Sequence, residues 1–120
     1  MKKILVLDTS GVFLGGIVKW NATRSKLKAF IENNSEGVEI GFQNFSTLRD
    51  DRAIGFSVDA FEENEYDLYL MSYDVAKMWG EEITKAAEAS GCKLLPLSPT
   101  ALTNTEKGQR EVLDLIAKNA

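Results

Sequence analysis

Four short apolar segments, separated by helix-like stretches, restrict the fold of this chain more than any other feature. They cover residues 3–8, 38–44, 67–72 and 92–98. The first, third and fourth segments are almost continuously apolar, which is typical of inner parallel strands that are covered on both faces. Residues 38–44 instead alternate apolar and polar side chains, which predicts a strand with one partly exposed face.

Helical patterns lie between and after these segments, over residues 17–31, over residues 75–90, and from Asn104 or Thr105 onward. Residues 45–65 are less regular, and their apolar residues indicate a helix or two short turns over the sheet. The order βαβαβαβα predicts an α/β three-layer sandwich with a four-stranded parallel sheet and helices on both faces. At 120 residues, we expect a single domain over residues 1–120.

The charge and the apolar content of the sequence argue against several classes of function. The net charge of −4 opposes binding to nucleic acid or to an anionic membrane surface. The apolar run Ile4–Leu7 is too short for the core of a signal peptide, and no run approaches the roughly 20 residues that span a bilayer. We therefore expect a cytoplasmic protein that binds no nucleic acid and does not insert directly into a membrane.

Histidine is absent and Cys92 is the single cysteine. This excludes an internal disulfide, a Ser-His-Asp triad and a zinc site built from several Cys or His ligands. Carboxylates, hydroxyls, lysines and backbone amides must therefore carry any chemistry, and the sequence predicts neither a metal site nor a cofactor.

In a parallel sheet the carboxyl ends of all strands meet at one end of the sheet, here called the rim, where ligands bind in open α/β folds. Asp8 ends the first strand and is the candidate catalytic carboxylate. The loop behind it predicts a phosphate or anion site, because glycines allow close approach and amides at a helix start attract anions; its members are Thr9, Ser10, Gly11, Gly15 and Gly16. The other strands add Ser72, Tyr73, Asp74, Ser98 and Thr100 to the rim. The same residue types also cap helices, and the sequence leaves both interpretations open.

The order of elements, and above all the segment YDLYLMSYDVAKMWGEEITKAAEASGCKLLPLSPTAL, resembles enzyme IIB of the lactose/cellobiose class of the sugar phosphotransferase system. The likeness covers the whole chain and includes the lysines before the first strand, Gly11 three residues after Asp8, and Val75 and Met78 in the helix that follows the YDL strand. That family has a four-stranded parallel sheet and a phosphocysteine at the end of the first strand. Here Asp8 stands at the cysteine position, and Val12 to Gly15 replace a polar Met-Ser-Thr-Ser run.

The resemblance implies a phosphoryl relay from a IIA partner to a sugar held by a membrane IIC component. Because the cysteine is replaced, the residues favour a second hypothesis, in which the protein is a non-catalytic regulatory or binding module with the IIB fold. A third is a small phosphoryl-transfer domain that forms an acyl phosphate on Asp8 with magnesium. The sequence leaves open whether the chain is an enzyme.

Overall fold

The computed structural model describes residues 2–10, 14–45, 61–102 and 105–119. Its strands are β1 (Lys2–Thr9), β2 (Val38–Phe45), β3 (Leu68–Met71) and β4 (Leu94–Pro96), and its helices are α1 (Gly16–Asn34), α2 (Tyr73–Ala89) and α3 (Glu106–Asn119). Residues 61–63 are also helical. The prediction for residues 45–65 otherwise concerns mainly residues 46–60, which lie outside the described residues.

All four strands are parallel and follow the spatial order β2-β1-β3-β4. The central strand β1 pairs with β2 through Ile4 and Ile40, and with β3 through Ile4 and Leu68. This topology confirms the predicted α/β class with its four-stranded parallel sheet.

The two faces of the sheet bury separate apolar clusters, because successive side chains of a strand point to opposite faces. One cluster joins the sheet to α1 and α3, and its buried members are Ile4, Val6, Leu27, Ile31, Ile40, Leu68, Leu70, Leu97, Ala101, Val112 and Ile116. The other joins the sheet to α2 and to Phe61, with Leu5, Leu7, Tyr69, Met71, Val75, Trp79, Ile83 and Ala87. Helices on both faces thus give the predicted three layers.

The prediction that residues 92–98 form an inner strand is wrong about the place of this strand in the sheet and about its length. β4 contains only three residues and lies at the edge of the sheet, with β3 as its neighbour. Leu94 and Leu95 are partly buried because they pack against opposite clusters, which explains why the segment is apolar. Pro96 is exposed and has no backbone N–H to donate, as is typical of an edge strand.

Helices α1, α2 and α3 differ in how their apolar residues are distributed. In α2 and α3 these residues form one buried stripe, whereas α1 buries Trp20, Leu27 and Ile31 but exposes Ile17 and Val18. In the part of the chain that the structure describes, no helix is both long and apolar enough to cross a membrane.

Candidate functional site

Asp8 lies at the carboxyl end of β1, but its side chain is in the interior rather than on the open rim. It follows Ile4 and Val6 in the alternation of β1, so it points toward the layer of α1 and is only 2% exposed. Its Oδ2 atom accepts a hydrogen bond from Arg24 Nε at 2.6 Å and another from Trp20 Nε1 at 2.9 Å. The candidate phosphoacceptor is therefore the centre of a buried ion pair.

Arg24 extends this ion pair to a third element. The guanidinium is buried with Asp8, and its Nη1 atom donates to the carbonyl oxygen of Leu102 at 2.8 Å. Through these contacts Arg24 joins β1, α1 and the segment between β4 and α3. Removing either partner of a buried pair leaves an uncompensated charge in the interior, so the loss of Asp8 or of Arg24 alone should be strongly destabilising.

Sequence reasoning missed Arg24 and gave Trp20 a packing role. One signal was present, because Trp20, Arg24, Leu27 and Ile31 follow one another at helical spacing and an arginine therefore falls on the buried face of α1. A buried charge needs a partner of opposite sign. Asp8, at the end of the adjacent strand, is that partner.

The predicted anion-binding residues after β1 occupy different environments in the described part of the loop. Thr9 is buried, and Ser10 donates its backbone N–H to Asn44 Oδ1 at 2.7 Å, which ties the ends of β1 and β2 together. Gly15 and Gly16 are exposed and have φ values of 95° and 65°, in the left-handed region that favours glycine. Gly11 lies outside the described residues, so its predicted role stays a prediction.

Helix α1 begins without a side-chain cap. Gly15 is its N-cap residue, and the first turn contains no acidic residue. The unpaired amides at such a helix start carry a partial positive charge. This geometry is compatible with the predicted anion site.

The predicted rim residues after β3 divide into a structural group and an exposed group. Ser72 caps α2, since its Oγ accepts from Val75 N–H at 3.2 Å while its own N–H donates to the Leu7 carbonyl oxygen at 2.9 Å. Tyr73 is 44% exposed, and Lys77 Nζ lies 5.4 Å from the centre of its ring. Asp74 adds a carboxylate to the first turn of α2, where its negative charge interacts favourably with the positive end of the helix dipole.

Ser98 and Thr100 meet after β4 around a residue that the sequence did not single out. Ser98 Oγ donates to Glu111 Oε2 at 2.7 Å and lies 3.2 Å from Thr100 Oγ1. Glu111 belongs to α3, 13 positions further along the chain. No local sequence pattern predicts this pairing, because it depends on how α3 packs on the sheet.

The predicted rim residues thus belong to separate groups of contacts. Among the described residues, one group of contacts centres on Asp8 and Arg24, and a second on Ser98, Thr100 and Glu111. Within the same ranges, no three Cys, Asp or Glu side chains come together as metal ligands.

Cys92 lies before β4, at the end of the sheet opposite the rim. Its Sγ atom donates to the Phe61 carbonyl oxygen at 3.2 Å, and burial raises the pKa of the thiol. A raised pKa favours the thiol over the nucleophilic thiolate. Cys92 therefore does not replace the cysteine that the resemblance expects at position 8.

A groove of about 660 Å³ runs between α2 and the exposed side of β4. Met71, Leu94 and Pro96 form its apolar wall, and Glu81 and Lys85 lie along its polar side. None of the predicted site residues lines this groove.

The fold and these contacts define a class: a three-layer α/β protein with a parallel sheet, whose first strand ends in a buried aspartate–arginine pair. No protein-family model, no curated protein and no solved structure matches the chain. The resemblance to enzyme IIB accordingly stays a prediction.

Proposed function

We propose that this protein is a IIB-like component of a sugar phosphotransferase system that binds a IIA or IIC partner without relaying phosphoryl groups. The sequence resemblance and the four-stranded parallel sheet support the IIB-like part of the proposal. The observation that carries the absence of relay is the environment of Asp8, which is 2% exposed and has Oδ2 engaged by both Arg24 and Trp20. A component of this kind works in the cytoplasm, which is the location that we propose.

The chemistry of acyl phosphate formation opposes transfer through Asp8. Attack on phosphorus requires a carboxylate oxygen that reaches the donor phosphate, whereas the whole Asp8 side chain is buried and its Oδ2 lies 2.6 Å from Arg24 Nε. Phosphorylation would also place a charge of about −1.5 to −2 at a site already occupied by an ion pair. The Asp8–Arg24 pair is therefore better suited to holding the rim in shape than to acting as a nucleophile.

A phosphoryl-transfer assay tests this proposal. The protein is incubated with a phosphorylated, isotope-labelled IIA protein of the lactose/cellobiose class, and an active IIB protein that carries the cysteine is the positive control. We expect the control to accept label and this protein to accept none. We expect the Asp8→Cys variant to accept none either, since position 8 is buried.

Two results would contradict the proposal. One is label on the wild-type protein that disappears in Asp8→Asn, which would make Asp8 a phosphoacceptor. The other is the absence, by isothermal titration calorimetry, of any complex with either a IIA or a IIC protein of this class. Magnesium-dependent hydrolysis of a phosphate ester that is lost in Asp8→Asn would instead favour a small phosphoryl-transfer domain.

A further inference from the structure

The turn before α1 and the first turn of α1 expose apolar side chains. Leu14 is 94% exposed, Val18 is 76% exposed and Ile17 is 46% exposed. These three residues, here called the α1 tip, lie within five positions of one another: Leu14 is in the turn before α1, and Ile17 and Val18 are in its first turn. Residues 14–19 are all exposed, and the first buried residue of α1 is Trp20.

The α1 tip is not needed for the core of this protein. Trp20, Leu27 and Ile31 already form the buried side of α1, so the tip is a second apolar surface on the same helix. The described segments of α2 and α3 bury their apolar stripes and have no comparable surface. Contiguous exposed apolar residues are typical of interaction sites.

The charge around the α1 tip determines which partner fits it. Residues 9–31 contain four basic residues and no acidic one, whereas the rest of the chain carries ten basic and eighteen acidic residues. Arg24 and Lys28 are engaged by Asp8 and Glu32, but Lys19, the residue after Val18, is exposed. The amino end of α1 adds positive partial charge without an acidic residue in its first turn.

An acidic protein segment complements this surface better than an anionic membrane does. A protein segment meets only the local field of α1, because charges further away than about 8 Å are screened at physiological salt. A membrane presents its charge to a much larger part of the molecule, and the chain outside residues 9–31 has a net charge of −8.

We infer that the α1 tip is a docking surface for a protein segment that presents carboxylates beside apolar side chains. Apolar side chains of the partner cover Leu14, Ile17 and Val18, and its carboxylates face Lys19 and the amino end of α1. The inference rests on the proposed binding function of the same rim and specifies the chemistry of the partner.

A nuclear magnetic resonance titration of the isotope-labelled full chain tests the inference. The probe is a synthetic helical peptide with Leu on one face and Glu beside it, and the matched control peptide has Lys in place of every Glu. We expect the Glu peptide to shift the amide resonances of residues 14–19 and the Lys peptide to leave them unchanged. Vesicles containing phosphatidylserine form a third arm, and we expect no shifts from them.

Variants make the test specific. Leu14→Ser combined with Val18→Ser removes two apolar contacts and should weaken binding by about tenfold or more. Lys19→Glu should also weaken binding, whereas Lys85→Glu makes the same charge change on α2 and should leave it unaltered. Because residues 14–19 and Lys85 are exposed, we expect these variants to unfold at the same temperature as the wild type. A thermal unfolding curve checks that each variant is folded.

The inference is overturned if the Glu peptide causes no shifts at residues 14–19, if both peptides bind equally, or if vesicles bind there in place of the peptide. Failure of this titration is distinct from failure of the proposed function. Label on Asp8 would contradict the proposed function whatever the titration shows, whereas a failed titration beside a complex with IIA or IIC would contradict only the docking surface.

Discussion

At the scale of single residues, Asp8 shows that position along a strand and accessibility are separate properties. The carboxylate is at the end of β1, where an open α/β sheet binds ligands, yet the alternation of the strand turns it inward. Arg24 and Trp20 then satisfy it from α1. Asp8, which the sequence suggested as a nucleophile, is therefore a structural ion-pair partner.

We predict that Asp8→Ala lowers the free energy of unfolding by about 3–5 kcal/mol, because the Arg24 guanidinium stays buried without its counter-charge. The double variant Asp8→Leu with Arg24→Met should lose much less unfolding free energy than the sum of the losses of Asp8→Leu alone and Arg24→Met alone. Urea denaturation followed by circular dichroism measures the free energy of unfolding of each variant. Lys26→Ala, an exposed change on α1, is the control and should stay within about 0.5 kcal/mol of wild type. Additive losses would show that Asp8 and Arg24 are not coupled.

At the scale of the elements, α1 and α2 begin in different ways. Ser72 caps α2 through its hydroxyl, which fixes the start of that helix with an ordinary backbone conformation. At the start of α1, Gly15 adopts φ 95° and offers no side chain. This left-handed turn brings the chain from the end of β1 into a helix, and only glycine adopts it without strain.

Two glycine substitutions should therefore act in opposite directions. Gly15→Ala should lower the free energy of unfolding by about 1–2 kcal/mol, because alanine is strained at φ 95° and its Cβ would lie 3.2 Å from Lys19 Cβ. Gly80→Ala lies within α2, where the new Cβ would make an ordinary 3.6 Å contact with Ala76 Cβ. It should raise stability by about 0.5–1 kcal/mol. A thermal unfolding series measures both, and a stabilising Gly15→Ala would contradict the left-handed turn.

At the scale of the whole molecule, the parallel sheet has two edges that are protected differently. β4 is short and contains Pro96, whereas β2 is eight residues long and would otherwise offer a template for strand pairing. Two side chains of α1 bond to the backbone groups of Ile40 on this edge. Glu32 Oε2 accepts a hydrogen bond from the Ile40 N–H at 3.0 Å, and Lys28 Nζ donates one to the Ile40 carbonyl oxygen at 2.8 Å. The Lys28–Glu32 pair, 2.6 Å apart, thus covers the edge of the sheet at Ile40.

This edge gives the molecule a defined dependence on pH. The hydrogen bond from Lys28 and the one from Ile40 N–H hold the pKa of Glu32 below its ordinary value. A group whose pKa is lowered on folding stabilises the protein above its unfolded pKa, about 4.3 for Glu, and loses this contribution as the pH falls through its folded pKa. Glu32→Gln should therefore destabilise the protein at pH 7 and matter much less near pH 3.

Urea denaturation of wild type and Glu32→Gln at the two pH values measures this difference. Glu36→Gln removes an exposed carboxylate just after α1 and is the matched control for loss of one acidic charge. An effect of Glu32→Gln that is equal at both pH values would show that the carboxylate charge does not stabilise the edge.

The sequence by itself determined the kinds of elements, their order and the α/β class. Apolar periodicity is a local property, so residues 3–8 and 75–90 could be assigned to a strand and a helix without knowledge of the rest of the chain. The same local signals placed Asp8, Ser72 and Ser98 at the carboxyl ends of strands. They also identified serine and glycine at helix starts, as the structure shows for Ser72 and Gly15.

Only the tertiary structure decided which strand lies at an edge and which side chains meet. The apolar run over residues 92–98 did not reveal that β4 is an edge strand, because packing on both faces demands the same residues whether a strand has one neighbour or two. Arg24 reaches Asp8 across 16 positions and Leu102 across 78. Such contacts depend on how helices pack on the sheet, and the local pattern of a sequence does not contain that information.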